Sequence, residues 1–424
     1  MGLFSFLTRK PGPPAPAAPA APAAIQSQPR HPPLRREEVT DARNRLYGYR
    51  FSLMQGRSEA LLFSTLLAER IAEFAVRRLA VIPLTAAAAA SPLHRQFAAP
   101  HTVFLLEAGE LAGDEGIALL LALKQDGAMA GMRGLPAAAH QQALLEACDM
   151  LFLDLAEVDL AHFHAALDRL HATHPRLKIA VEGIASWEEQ RMCLGWGADY
   201  CLGTFLATPD KADEEGTLDQ SRLTALRLLN LLRSDAELAE LTEVAKQDPA
   251  ITFQLLKWAN APINGQATGI SSLGQAIMVL GRNVLYRWLA VAIFRLGRGK
   301  ERDAALMEVA LRRARFLELV NPALSPAERD ELFLVGLLSL FDVLFGMPMS
   351  RLLGHLNLSA DTEDVLLRSS GKYGPYLMLA MVLERGDRQR AAQIAAGLRI
   401  DPAGLGEVHA DAFAWTQDSL LQQA

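Results

Sequence analysis

Cysteine is scarce in this chain: Cys148, Cys193 and Cys201 are the only three among 424 residues. No C-x-x-C spacing occurs, which removes both a disulfide framework and a thiolate metal knuckle. A reducing compartment fits such usage best. A strong charge of either sign is also missing. The formal net charge of −6 argues against broad electrostatic binding to nucleic acid. Long apolar runs are missing too. The longest, residues 332–347, carries Asp342 and is too short for a membrane span; it reads as a buried helix. The opening MGLFSFL places Arg9 and Lys10 after its apolar residues, the reverse of a secretory signal. The expectation is a cytoplasmic chain with no nucleic-acid partner and no stable membrane insertion.

What is present is apolar residue in quantity, 50% of the chain, enough for two packed cores at this length. Residues 11–33 are almost entirely Pro and Ala, an extended tether in which proline fixes φ and removes donors. From about Arg45 to Pro209, short apolar runs alternate with amphipathic stretches. Strands are expected at 46–53, 79–84, 102–107, 150–155, 178–182 and 200–206. Helical spacing marks 58–78, 161–171 and 186–196. Residues 86–90 and 128–134 are too rich in Ala and Gly to assign. Strand–helix alternation implies a parallel sheet with crossover helices, open or closed into a barrel.

After Pro209 and a charged connector at 211–216 the pattern becomes helical. Ser234/Glu237, Ser272/Gln275 and Ser325/Glu328 have capping-box spacing. Asp248-Pro249 and Ser325-Pro326 combine a cap with proline at the first helical position. Gly281 is placed as a helix stop. The division expected is a disordered tail over 1–40, an α/β domain over 41–210, an all-α domain over 217–408 and a C-terminal tail over 409–424.

Two segments carry a family resemblance. Residues 179–209, IAVEGIASWEEQRMCLGWGADYCLGTFLATP, resemble the late strand–helix–strand unit of EAL domains. Glu182, Gly183, Glu189, Gly197, Asp199, Tyr200, Gly203, Phe205 and Pro209 fall in register. Residues 241–281 resemble the core of an HDOD domain, through Asp248, Pro249, Leu255, Leu256, Asn260, Ile270, Ser272, Ala276, Leu280 and Gly281. Together they resemble bacterial proteins that join the two modules. The resemblance implies a degenerate TIM-like EAL barrel followed by an all-α HDOD domain, with any chemistry at the C-terminal ends of the strands.

EAL enzymes hydrolyse cyclic di-GMP with divalent ions held by clustered acids, since the cations polarise the phosphate and acidify the attacking water. Read against that pattern, the signature glutamate position is Arg50. Residues 79–85 lack the ligating Asn. A ligand Glu position falls on Phe104, beside Glu107. No Asp-Asp pair occurs, and Phe152 stands where a lysine is expected. Glu107, Asp154 and Glu182 remain as strand-end acids, readable as remnants of a site or as ordinary structural acids. HD-type metal chemistry is also unsupported, because the helical half holds only His355 and His409. The expectation is therefore a chain that is no enzyme and holds no metal or cofactor. It would act in cyclic di-GMP signalling by recognising other signalling proteins. Cyclic di-GMP itself and a second copy of the chain are admitted as partners. The alternative is a phosphodiesterase using Glu107, Asp154 and Glu182, or a receptor that binds cyclic di-GMP without hydrolysis.

Two further features have plain readings. The basic stretch Arg295, Arg298, Lys300, Arg302, Arg312, Arg313 and Arg315 is interspersed with acids and reads as a solvated face. Trp258 and Trp288 sit on apolar helix patterns and read as core.

Overall fold

The computed structural model describes residues 31–54, 58–136, 140–213, 219–260, 270, 272–296 and 301–421. The chain divides into two units. One holds His31–Asp210 with Met381–Gly406, the other Lys211–Ala380 with Glu407–Ala424.

Eight strands of the first unit close into a barrel in sequence order. They are β1 Leu34–Asp41, β2 Leu46–Leu53, β3 Leu79–Pro83, β4 Thr102–Glu107, β5 Met129–Arg133, β6 Met150–Asp154, β7 Lys178–Ile184 and β8 Tyr200–Gly203. β1 is antiparallel to β2 and β8. The remaining neighbours pair in parallel. Alternation along each strand sends every second side chain inward. Val39, Leu79, Val81, Val103, Leu105, Met150, Phe152, Ala180 and Leu202 fill the interior. Two residues further along, the same inward positions carry Glu107, Arg133, Asp154 and Glu182. The register sets Glu107 beside Arg133 and Asp154 beside Glu182. The sheet thus delivers charge to one end of the barrel.

The helices behind the sheet begin where the chemistry of their caps says they should. Ser186 and Glu189 exchange bonds to open the helix Trp187–Gly195. Thr85 caps Ala86–Ala90, so that alanine run is a short helix. Two strands were hidden. Residues 128–134 contain β5. The region expected to be a disordered tail contains β1, whose LRREEVTD pattern is mostly charged. Those charges are satisfied from far along the chain. Buried Arg36 bonds Glu69, and Glu37 bonds Arg50 at 2.7 Å.

The second unit is helical, from Gln220–Arg233 to Leu405–Leu421. The C-terminal segment is no loose tail, since Phe413 and Trp415 are buried on that last helix. Residues Met381–Gly406 group with the barrel, which departs from the helical domain expected over 217–408. Ser272 caps Gln275 at 3.3 Å, Asp248 caps Ala250 and Ile251 at 2.9 and 3.0 Å, and Ser325 with Glu328 forms the full box. Ser234 does not cap: it ends the preceding helix, donating to the Leu231 carbonyl at 3.2 Å. Asp235, at φ 51°, then turns the chain away.

Trp258 and Trp288 stack in the core, centroids 5.2 Å apart. Among its described residues, the basic stretch is a solvated face only at Arg295, which is exposed. Arg302, Arg312 and Arg313 are buried, and the Arg313 guanidinium donates to the Ser339 hydroxyl at 2.7 Å. The cause is the packing of the helix Glu301–Leu319 against Pro326–Leu338 on one side and against Gln220–Arg233 and Leu405–Leu421 on others. Gly336 permits the first, because a Cβ there would lie 2.4 Å from the Ala314 Cα. Arg298 and Lys300 lie outside the described residues, as does MGLFSFL. No helix among the described residues is long and apolar enough to cross a membrane.

Asn260 ends the helix Pro249–Ala259 and ties it to Ile270. Its Nδ2 donates to the Ile270 carbonyl at 2.8 Å, and its Oδ1 accepts the Ile270 N–H at 2.6 Å. Asn260→Ala is expected to lower the unfolding free energy by about 0.5–1.5 kcal/mol. Asn260→Asp sets a carboxylate against the Ile270 carbonyl and should cost at least as much. Urea titration of both variants checks this.

Candidate functional site in the barrel mouth

The inward positions at the C-terminal ends of the parallel strands converge on Glu182, whose side chain is 2% exposed. Its Oε2 accepts from Arg50 Nη1 on β2, and its Oε1 from Arg133 Nε on β5. Arg50 also donates through Nε to Glu37 Oε2 on β1 at 2.7 Å. Arg133 donates through Nη2 to Asp154 Oδ2 on β6 at 3.0 Å. It lies 3.6 Å from Glu107 on β4. Asp154 is held from its other side, where Oδ1 accepts the Ala156 N–H at 3.0 Å. Arg35 closes the set with an ion pair to Glu37 Oε1 at 2.7 Å.

Burial opposes the charge on both arginines, but their acids outweigh it. Glu37 and Glu182 hold the Arg50 pKa above its ordinary value. Glu182, foremost through its hydrogen bond, does the same for Arg133. Both guanidiniums therefore stay protonated in the folded chain.

Gly183 follows Glu182 with φ +80°. A Cβ at that position would stand 2.9 Å from Asp154 Oδ1. The glycine lets β7 bulge between Val181 and Ile184 while Glu182 points inward, so the two acids can sit side by side.

A cavity of about 320 Å³ adjoins the network. Arg35, Arg50, Arg133 and Glu107 reach it from the network, and Glu59 and Glu110 line it as well. Glu59 accepts the Thr85 N–H at 3.0 Å, and Glu110 the Ala86 N–H at 2.8 Å. Leu53, Leu62, Leu84 and Leu105 supply apolar wall.

The structure brings all four singled-out positions, Arg50, Glu107, Asp154 and Glu182, into this mouth. Phe104 is different. It packs outside the barrel, edge-on to His94 at 5.2 Å, while Val103 and Leu105 face in. Glu107 therefore occupies the inward phase of β4, and Phe104 replaces nothing in the mouth. Phe152 does face inward, where it fills the core beneath Asp154. Arg133 and Glu37 escaped the sequence reading. Their signal was faint: one charged residue after an Ala/Gly-rich run, and one acid in a charged strand opposite Arg50.

The acids implied by an EAL resemblance would hold a divalent cation, so the fit can be tested. A hard cation needs several unshared oxygens converging on one point. Here Glu182 spends both oxygens on guanidiniums, and two positive groups stand among the acids. The residues as placed do not fit a divalent cation. No cluster of three or more His, Cys, Asp or Glu side chains suited to a metal occurs among the described residues, in either unit.

Comparison with known proteins bears on both units. The family model of the HDOD domain matches residues 221–346, so the helical half carries an HDOD domain. A curated relative, "Cyclic di-GMP phosphodiesterase CdgJ" of Vibrio cholerae, is 23% identical over 57% of this chain and 56% of its own length. "Uncharacterized protein YuxH" of Bacillus subtilis is 27% identical over 55% of this chain and 57% of its own. The matches thus span little more than half the length of these relatives. Among solved structures, the EAL domain of Mycobacterium smegmatis DcpA aligns over 41% of this chain and 88% of its own, with 14% identity and TM-score 0.33. A closed barrel followed by an HDOD domain is the EAL–HDOD order that the sequence resemblance implies. One expectation is corrected. The chain was expected to be no enzyme, and the Vibrio relative, named a phosphodiesterase, overturns that.

Three substitutions probe the mouth. Glu182→Ala leaves two part-buried guanidiniums without their shared anion, each keeping one other acid, and should cost about 3 kcal/mol of stability. Glu107→Ala, at a half-exposed acid, should cost less than about 1 kcal/mol. Gly183→Ala adds backbone strain of about 1–2 kcal/mol. Chemical denaturation of the three variants should rank Glu182→Ala as the most destabilised, then Gly183→Ala, then Glu107→Ala.

Proposed function

We propose that this chain is a cyclic di-GMP signalling protein of EAL–HDOD type whose barrel mouth receives the dinucleotide. The observation that carries this is the mixed lining of the cavity. Arg35, Arg50 and Arg133 present guanidinium donors, and Glu59, Glu107 and Glu110 present carboxylate acceptors, beside leucine walls. Cyclic di-GMP has matching halves: phosphate oxygens that accept from arginine, and guanine edges whose N–H groups donate to carboxylates. Its flat bases suit apolar walls. Pockets of this kind bind through apolar contact and orient through a few polar groups. The helical domain would pass the bound state to other cytoplasmic signalling proteins, which needs only that the ligand prefer one of two arrangements.

A second reading, hydrolysis of the bound dinucleotide, is favoured by the name of the Vibrio cholerae relative.

Calorimetry of the purified chain with cyclic di-GMP tests the proposal, with chromatography of the same sample for linear dinucleotide. Saturable heat is expected. Arg133→Ala, shown folded by circular dichroism, should weaken binding by about tenfold or more, the worth of one charged hydrogen bond. Linear product would establish the second reading. Neither heat nor product would sink both.

A further inference from the structure

The mouth holds an arrangement that a simple loss of metal ligands does not produce. An acid cluster stripped of its cation would be left with unopposed negative charge, and burial would make that costly. Here the charge is opposed within the chain. Glu37, Glu107, Asp154 and Glu182 face inward, and Arg50 and Arg133 lie among them. Arg50 bridges Glu37 and Glu182. Arg133 bridges Glu182 and Asp154 and approaches Glu107. Two guanidiniums carry the same charge as one divalent ion. Their planar forks deliver directed donors to oxygens that an ion would otherwise gather.

We infer that Arg50 and Arg133 are the mouth's resident cations, taking by covalent attachment the place of a divalent ion, so that the mouth is assembled without metal. Because the arginines are tethered to β2 and β5, no chelator can remove them and no metal concentration regulates them. A divalent ion could reach Glu182 only by displacing a guanidinium, against like charge. The inference concerns the resting mouth alone and stands apart from which ligand the cavity takes.

The test uses Mn²⁺ and no nucleotide. Electron paramagnetic resonance counts bound Mn²⁺, and thermal unfolding reads its effect. The unmodified chain should bind no Mn²⁺ at millimolar concentration, and its melting temperature should move with neither Mn²⁺ nor EDTA. The double variant Arg50→Met/Arg133→Met removes both positive charges and keeps the acids. It should melt lower, bind Mn²⁺ at least about tenfold more tightly than the parent, and regain stability on binding it. Should the double variant fail to fold, Arg133→Met alone keeps Arg50 on Glu182 and should show a smaller gain of the same sign. Stoichiometric Mn²⁺ in the unmodified chain would overturn the inference. So would an Mn²⁺ affinity in the folded variants no greater than in the parent.

Discussion

Glu182 loses nearly all its water on folding, and a carboxylate so enclosed stays ionised only if fixed donors replace what the solvent gave. Arg50 and Arg133 replace it, one at each oxygen. The rest of the mouth follows from that sharing. Arg50 must reach across from β2, and its remaining donors fix Glu37 on β1. Arg133 must reach from β5, and its remaining donors meet Asp154 on β6 and Glu107 on β4. Strands adjacent and non-adjacent are thereby tied at one end of the barrel. A slip of one residue in any of them would turn its charged group outward and an outward-facing side chain into the mouth. The network therefore fixes register as well as charge. Below it lies an apolar plug centred on Phe152.

Much of the barrel was legible because its strands are short apolar runs between helical patterns, and periodicity reports that directly. Six strands fell within a few residues of their expected places. The two that did not share a cause. β1 is stabilised by charges whose partners, Arg50 and Glu69, are distant in sequence, so its pattern reads as a solvated segment. β5 is MAGMR, and small residues there leave room for neighbouring Val103 rather than announcing a strand. A Cβ on Gly131 would come within 2.6 Å of that valine. Missing β5 meant missing Arg133. Glu182 and Asp154 could be found from the chain alone. The group that joins them could not, because nothing local marks an arginine whose purpose is tertiary.

The helical half shows the same division between local and distant causes. Caps are local, and Asp248, Ser272 and Ser325 behave as their spacing implies. Ser234 fails because Asp235 takes a left-handed conformation before the next helix can form. The basic stretch fails for the opposite reason. Its interspersed acids looked like a soluble surface, yet Arg302, Asp303 and Arg313 are inside. Arg222 meets Asp303 at 2.6 Å, and Arg315 lies 5.3 Å over the Trp415 ring. Mixed charge marks a surface only when the partners lie on the same face. When the partners lie on other helices, the same composition is buried.

That distinction bears on how an altered site should be read. A substituted ligand position, taken singly, looks like decay: Arg50 repels a cation, so chemistry is lost. Taken with its neighbours, Arg50 stands opposite Glu37 in the β1–β2 register, and Arg133 stands opposite Glu107 in the β4–β5 register. Decay has no reason to place a positive group at cross-strand positions facing acids on two separate strand pairs. Compensation does, because each retained acid in a closing barrel needs a counter-charge. The mouth is better described as a site of interlocked opposite charges, with donors and acceptors facing one cavity, than as the remains of another site. Of the two guanidiniums Arg133 is the more exposed, at 28% against 14%, so it is the one whose donors the cavity meets most openly.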